Sequence, residues 1–94
     1  MTKDEKAYLN RVAELGCAIC RRLGYPDSCA EIHHQRTGTG AGKRASNYDV
    51  VPLCPEHHRG NTGIHGYGRK RFEREYSVTE IELIEETKKL LGIA

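Results

Sequence analysis

The chain has 94 residues and a mass of 10.6 kDa, of which 37% are hydrophobic and 30% charged, so a single domain this small needs a disulfide, a metal or a partner for stability. No apolar run approaches the roughly 20 residues that cross a bilayer, and no signal peptide opens the chain; we therefore expect a cytoplasmic protein, neither membrane-spanning nor secreted. The net charge of +2 is uneven, with +5 on residues 32–71 and −3 on residues 72–94, which is typical of polyanion binding and equally of an ordinary solvated face.

The first half of the chain predicts one helix and one strand. A capping box at Thr2–Glu5 opens a predicted helix over about residues 3–15, which stops at Gly16. Glu31–His34 is a strand candidate, and the glycine-rich residues 37–47 cannot form a packed element alone. The apolar stripe of the helix consists of Ala7, Tyr8, Val12 and Leu15.

The second half predicts a strand and three helices. Asp49–Leu53 is the strand, and its proline indicates an edge or the strand end. Pro55 suits the first turn of a short helix that ends at Gly60, and a basic segment follows as a helix over residues 69–75. A second capping box, Thr79–Glu82, opens the last helix. We expect its core face to be Ile81, Ile84, Leu90 and Leu91, and its solvated face to be Glu80, Glu82, Glu85 and Glu86.

Two short motifs predict a structural zinc site. Cys17 and Cys20 form one pair and Cys54 and His57 the other, with 33 residues between the pairs. Zn2+ takes four such ligands in a tetrahedron, and two tight turns can each supply two of them. Disulfides are the alternative, but they are rare without a secretory signal. Cys29 has no paired neighbour, and we expect a small packed residue or a substitute for His57 as the fourth ligand.

The histidines predict a second, open metal site. His33 and His34 are consecutive in a predicted strand, so they point to opposite faces, and one can bind a metal while the other reaches a water molecule. His58 and His65 complete a set of three imidazole ligands, which leaves coordination positions for water and substrate.

These residues carry a resemblance to a known family. The segments AEIHHQRTG at residues 30–38, RAS at 44–46 and PLCPEHHR at 52–59 resemble the HNH (ββα-metal) endonuclease motif and, more closely, the phage recombination-enhancement, RecA-dependent nucleases. The resemblance implies an α+β fold with a zinc-stabilised, treble-clef-like ββα-metal core over about residues 15–66. Helices at 3–15 and 69–91 would flank this core within one domain, residues 1–94.

The resemblance also implies the roles of individual residues. His34 takes the position of the general base, and His33, His58 and His65 those of the catalytic metal ligands. The residue that orients the base is usually Asn; here Asp49 stands at that position, and Asn47 is the alternative. The reaction would be metal-dependent DNA phosphodiester hydrolysis that leaves 5′-phosphate and 3′-hydroxyl ends, stimulated by RecA filaments.

Basic residues predict the contacts to DNA phosphates, which position DNA without reading its sequence. Imidazole ligands favour transition metals over Mg2+, so Mg2+, Mn2+, Ni2+ and Zn2+ all stay open as the catalytic ion. The alternative function is a non-catalytic, zinc-stabilised nucleic-acid-binding module. The predicted DNA-binding residues are Lys43, Arg44, Arg59, Arg69, Lys70 and Arg71.

Overall fold

The computed structural model describes residues 1–38 and 45–93 of the chain. Within these residues it is an α+β structure with six helices and one two-stranded sheet. No helix in the described ranges has the length and apolar character needed to cross a membrane. In chain order the elements are α1 Lys3–Glu14, α2 Ala18–Leu23, β1 Glu31–His34, β2 Val50–Leu53, α3 Pro55–Arg59, α4 Ile64–Tyr67, α5 Arg69–Tyr76 and α6 Glu80–Leu90.

The sheet is an antiparallel hairpin at the centre of the molecule. His33 pairs with Val51 and Ile32 pairs with Pro52. All four residues of β2 are buried, while in β1 His33 is buried and His34 is exposed, as the strand periodicity predicts. Pro52 is tolerated because each strand of a two-stranded sheet has an unpaired edge. The hairpin therefore turns one histidine toward the interior and its neighbour toward solvent.

Two hydrophobic clusters hold the helices against this hairpin. The larger packs α2, α5 and α6 on β2 around Phe72, Leu53 and Leu83. The smaller packs Tyr8 and Val12 of α1 against Val50. Both predicted capping boxes are present, at the start of α1 and of α6. These caps fix where the two outer helices begin.

Two helices are absent from the sequence-based prediction. Cys17 caps α2, because its sulfur accepts the backbone N–H of Cys20 at 3.4 Å, and Gly24 ends that helix with φ 77°. Helix α4 has only four residues. Both helices are too short to show a periodic apolar stripe, which is the signal that predicts longer helices.

The predicted faces of α6 are wrong in two places. Glu80 is fully buried, whereas Leu90 is 56% exposed. The buried residues of α6 are Glu80, Leu83, Ile84 and Thr87, which are spaced as one face of a helix requires. The buried face thus begins with a carboxylate, and Leu90, in the last turn of the helix, is exposed.

Candidate metal centres and the histidine groove

Three cysteines and a histidine form a closed cluster. The His57 Nδ1 atom lies 3.5, 3.5 and 3.3 Å from the sulfurs of Cys17, Cys20 and Cys54, and the Cys20 and Cys54 sulfurs are 3.8 Å apart. A zinc ion ~2.3 Å from sulfur and ~2.0 Å from nitrogen separates tetrahedral ligand atoms by ~3.5–3.8 Å. All four residues are buried. This group could hold a structural metal such as zinc.

Local helix starts explain how two distant segments build this cluster. Cys17 and Cys54 each occupy an N-cap, and each sulfur accepts the backbone N–H three residues later. Pro55 stabilises the helix start at Cys54. It lies in the first helical turn, where a backbone N–H would have no partner within the helix, so its missing N–H costs no hydrogen bond. Burial raises the pKa of the Cys17 thiol to about 11, so a bound cation is needed to hold this sulfur as a thiolate.

Cys29 does not behave as predicted. It is exposed, so it is not the small packed residue expected from its isolation in the sequence. The residue in the buried cluster is His57, and Cys29 therefore does not replace it as a fourth ligand. An isolated cysteine gives no spacing from which its burial could have been predicted.

A second cluster gathers His33 of β1, His58 of α3 and His65 of α4. One ring nitrogen from each lies within 4.8 Å of the others. Burial, followed by the nearby histidines, lowers the pKa of His65, which favours the neutral form that binds metals. Glycines at positions 63 and 66 allow α4 to pack closely on α3. A Cβ at residue 63 would collide with the carbonyl oxygen of residue 56, and a Cβ at residue 66 with that of residue 60.

Two of these imidazoles are held by carboxylates. The His33 Nε2 atom lies 2.6 Å from Glu80 Oε2, and the His58 Nδ1 atom lies 2.8 Å from Glu31 Oε1. A carboxylate only accepts hydrogen bonds, so each facing nitrogen carries the proton. The lone pairs then lie on Nδ1 of His33 and Nε2 of His58. Carboxylates hold metal-binding histidines in this way, and the cluster fits a metal for this reason.

Glu80 is the residue that the sequence-based reading missed. Besides His33, its carboxylate accepts the backbone N–H groups of Arg36 and Thr37 and the hydroxyl of Thr37, at 2.8–2.9 Å. Burial raises the pKa of Glu80, but the bonds from His33, Thr37 and Arg36 outweigh it and lower the pKa to about 2. The carboxylate therefore stays ionised inside the core. The spacing of Glu80 to Leu83, Ile84 and Thr87 was the available signal.

His34 lies beside Asn47 rather than Asp49. The His34 Nε2 atom is 2.9 Å from Asn47 Oδ1. Asp49 instead accepts a hydrogen bond from the ammonium of Lys88 at 2.7 Å. Of the two candidate orienting residues, the structure brings Asn47 to the predicted base and turns Asp49 toward α6.

An open groove runs along the three-histidine cluster. One cavity of about 220 Å3 is lined by both strand histidines, His58 and His65. An adjoining cavity of about 260 Å3 extends past His65 to Arg69. Arg36 lines both cavities. Unlike the buried cysteine cluster, the histidine cluster is open to a ligand from solvent.

A comparison with family models matches residues 1–92 to the family described as recombination enhancement, RecA-dependent nuclease. The chain belongs to this family. Searches of curated proteins and of solved structures gave no match. Membership confirms the resemblance to the RecA-dependent nucleases, and it implies nuclease activity in recombination together with an interplay with RecA and DNA.

Four of the predicted DNA-binding residues of this RecA-dependent nuclease can be described. Arg59 donates to the Glu31 carboxylate from both Nε and Nη2, and Arg69 forms an ion pair with Glu73. Arg71 lies over the Tyr67 ring, 4.2 Å from its centroid. Lys70 is exposed. The other two, Lys43 and Arg44, lie outside the described residues.

Proposed function

We propose that this chain is a metal-dependent endonuclease of the HNH (ββα-metal) type that hydrolyses DNA phosphodiester bonds in RecA-dependent recombination. The observation that carries the proposal is the open groove in which exposed His34, held by Asn47, adjoins the cluster of His33, His58 and His65. A module that only binds nucleic acid has no need of this arrangement. The β1–β2–α3 unit that supports it has the order expected of a ββα-metal core.

The proposed metal ligands are His33, His58 and His65, with Glu80 and Glu31 as their carboxylate partners. When bound, a divalent metal supplies Lewis-acid stabilisation of the negative charge that develops during phosphodiester cleavage. Carboxylate partners fix the ring orientation and raise the basicity of the metal-facing nitrogens. The four residues of the closed cluster, Cys17, Cys20, Cys54 and His57, hold the structural zinc.

His34 is the proposed general base. Its Nε2–H donates to Asn47 Oδ1, so the lone pair lies on Nδ1, which takes a proton from water. The water oxygen then bonds to phosphorus as the bond from phosphorus to the 3′-oxygen breaks. That oxygen leaves with the bonding electrons and takes a proton from solvent. The products are 5′-phosphate and 3′-hydroxyl ends.

The DNA backbone is proposed to follow the groove toward α5. Arg36 and Arg69 line its two cavities, and Lys70 and Arg71 continue the positive charge along α5. Phosphate contacts of this kind position DNA without selecting a sequence. Arg59, Lys43 and Arg44 are proposed to add further phosphate contacts.

The test is nicking of supercoiled plasmid by wild type and His34→Ala. Each protein is assayed with Mg2+, Mn2+ and Ni2+, with and without RecA, ATP and a homologous oligonucleotide. We expect nicking by wild type and a loss of about 100-fold or more in the variant. Zinc content and the circular dichroism spectrum serve as controls for folding. DNA binding by wild type without cleavage in any condition would contradict the nuclease and favour the non-catalytic binding module.

A further inference from the structure

We infer that Glu5, in the first turn of α1, is a positioning residue that sets the tautomer of the His34 base through Asn47. The inference rests on the proposed role of His34. Its basis is a series of hydrogen bonds from Thr2 through Glu5 and Asn47 to His34, with distances of 2.7, 3.1 and 2.9 Å.

The two carboxylate oxygens of Glu5 have different partners: one takes part in the capping box and the other binds Asn47. Glu5 Oε1 accepts the backbone N–H of Thr2 at 2.7 Å, while Glu5 Oε2 accepts from Asn47 Nδ2 at 3.1 Å. The bond from the Thr2 backbone, followed by the one from Asn47, lowers the pKa of Glu5. The carboxylate is therefore fixed in place and ionised beside the Asn47 amide.

Packing keeps α1 beside the segment that carries Asn47. The ring of Tyr8 in α1 contacts the ring of Tyr48 at a tilt of 46°, with centroids 5.1 Å apart, and Tyr8 and Val12 pack with Val50. Residues near both ends of the Glu5–Asn47 contact are therefore held by the buried Tyr8 and Val50 and the partly buried Tyr48. The contact belongs to the packed interface between α1 and the hairpin.

The chemistry of the three groups decides where the proton lies. A carboxylate offers no donor, so it orients the Asn47 amide with nitrogen toward Glu5 and oxygen toward His34. An amide oxygen can only accept, so His34 must present Nε2–H to it. The lone pair is then on Nδ1, where the proposed reaction needs it. Without Glu5, the amide is free to turn over and to favour the opposite, inactive tautomer.

Glu5→Gln tests this inference because it changes only one group. Glutamine also supports a capping box, and with its oxygen on Thr2 it presents NH2 to Asn47, which forces the amide to turn. We expect kcat for plasmid nicking to fall by about 10-fold or more, with KM for DNA unchanged within about two-fold. The matched control is Asp4→Asn, which removes one exposed negative charge from the same helical turn; its kcat should match that of wild type.

The 15N shifts of the His34 ring give a readout that does not depend on cleavage. We expect Nε2 to carry the proton in wild type and in Asp4→Asn, and Nδ1 to carry it in Glu5→Gln. Glu5→Ala should give a mixture of the two tautomers, and this variant serves if Glu5→Gln does not fold. If Glu5→Gln or Glu5→Ala keeps both the Nε2–H tautomer and the wild-type kcat, the inference is overturned. If wild type does not cleave, the proposed function fails, while the tautomer shift still tests the link from Glu5 to His34.

Discussion

Two consecutive residues of α3 serve two different clusters. His57 is 7% exposed and joins three buried cysteines, whereas His58 is partly exposed and joins His33 and His65 beside an open groove. Successive residues of a helix point about 100° apart, so one short helix can face the core with one side chain and the groove with the next. The buried cluster is suited to stabilising the fold, whereas the cluster beside the groove can be reached by a ligand.

The surroundings of the two clusters differ in the same way. In the closed cluster the sulfur and nitrogen atoms contact one another and backbone N–H groups, and all four residues are buried. In the open cluster His33 and His58 are each hydrogen-bonded to a carboxylate, and both rings line a cavity of about 220 Å3. A closed tetrahedral site stabilises structure, while a site with open positions can bind water and substrate.

The largest expected effect is on folding through the closed cluster. A structural zinc contributes on the order of 10 kcal/mol, which is comparable to the whole stability of a small domain. Cys20→Ser should therefore unfold the chain, as measured by circular dichroism. Cys29→Ser is the matched control, because Cys29 is exposed, and it should melt like wild type. Equal melting temperatures for the two variants would show that the cysteine cluster does not hold the fold.

A smaller effect should follow from Glu80→Gln in the open cluster. Glutamine has nearly the same volume as glutamate, but its NH2 group replaces one of the oxygens that accept hydrogen bonds from His33, Arg36 and Thr37. The lost acceptor should lower the free energy of unfolding by about 1–3 kcal/mol. Metal affinity at the histidine cluster should fall about 10–100-fold, as measured by titration with Mn2+ or Ni2+. Glu85→Gln, at an exposed position of the same helix, is the control; an equal loss of affinity there would contradict the assignment.

The smallest expected effect is on DNA binding along the groove. Arg69→Ala should weaken DNA binding similarly for all sequences and reduce the slope of log affinity against log salt by about 1. The measurement is a fluorescence titration with a labelled duplex at several salt concentrations. Lys89→Ala, an exposed charge near the end of α6, should leave the slope unchanged. An unchanged slope in Arg69→Ala would remove this residue from the proposed DNA contact surface.

Local signals explain why much of the fold could be predicted. Capping boxes mark α1 and α6, Pro55 marks α3, and the pairs of Cys and His at fixed spacing predicted the four members of the buried cluster. The helical spacing of Glu80 indicated its burial, but its contact with His33 could not be predicted because the two residues lie 47 positions apart in sequence. The choice of Asn47 over Asp49 was likewise not readable, because the partner of Asp49, Lys88, lies 39 residues away in sequence. Contacts between distant segments leave no spacing pattern to read.

The most direct test of the division between the two clusters is a comparison of His57→Ala with His58→Ala. Both proteins are dialysed against a chelator that strips weakly held ions, and then assayed for zinc per chain, for folding, and for plasmid nicking after a divalent metal is restored. We predict that His57→Ala loses zinc and fold together, while His58→Ala keeps one zinc and its fold but does not nick DNA. Nicking at the wild-type rate by His58→Ala, or loss of its zinc and fold, would contradict the account.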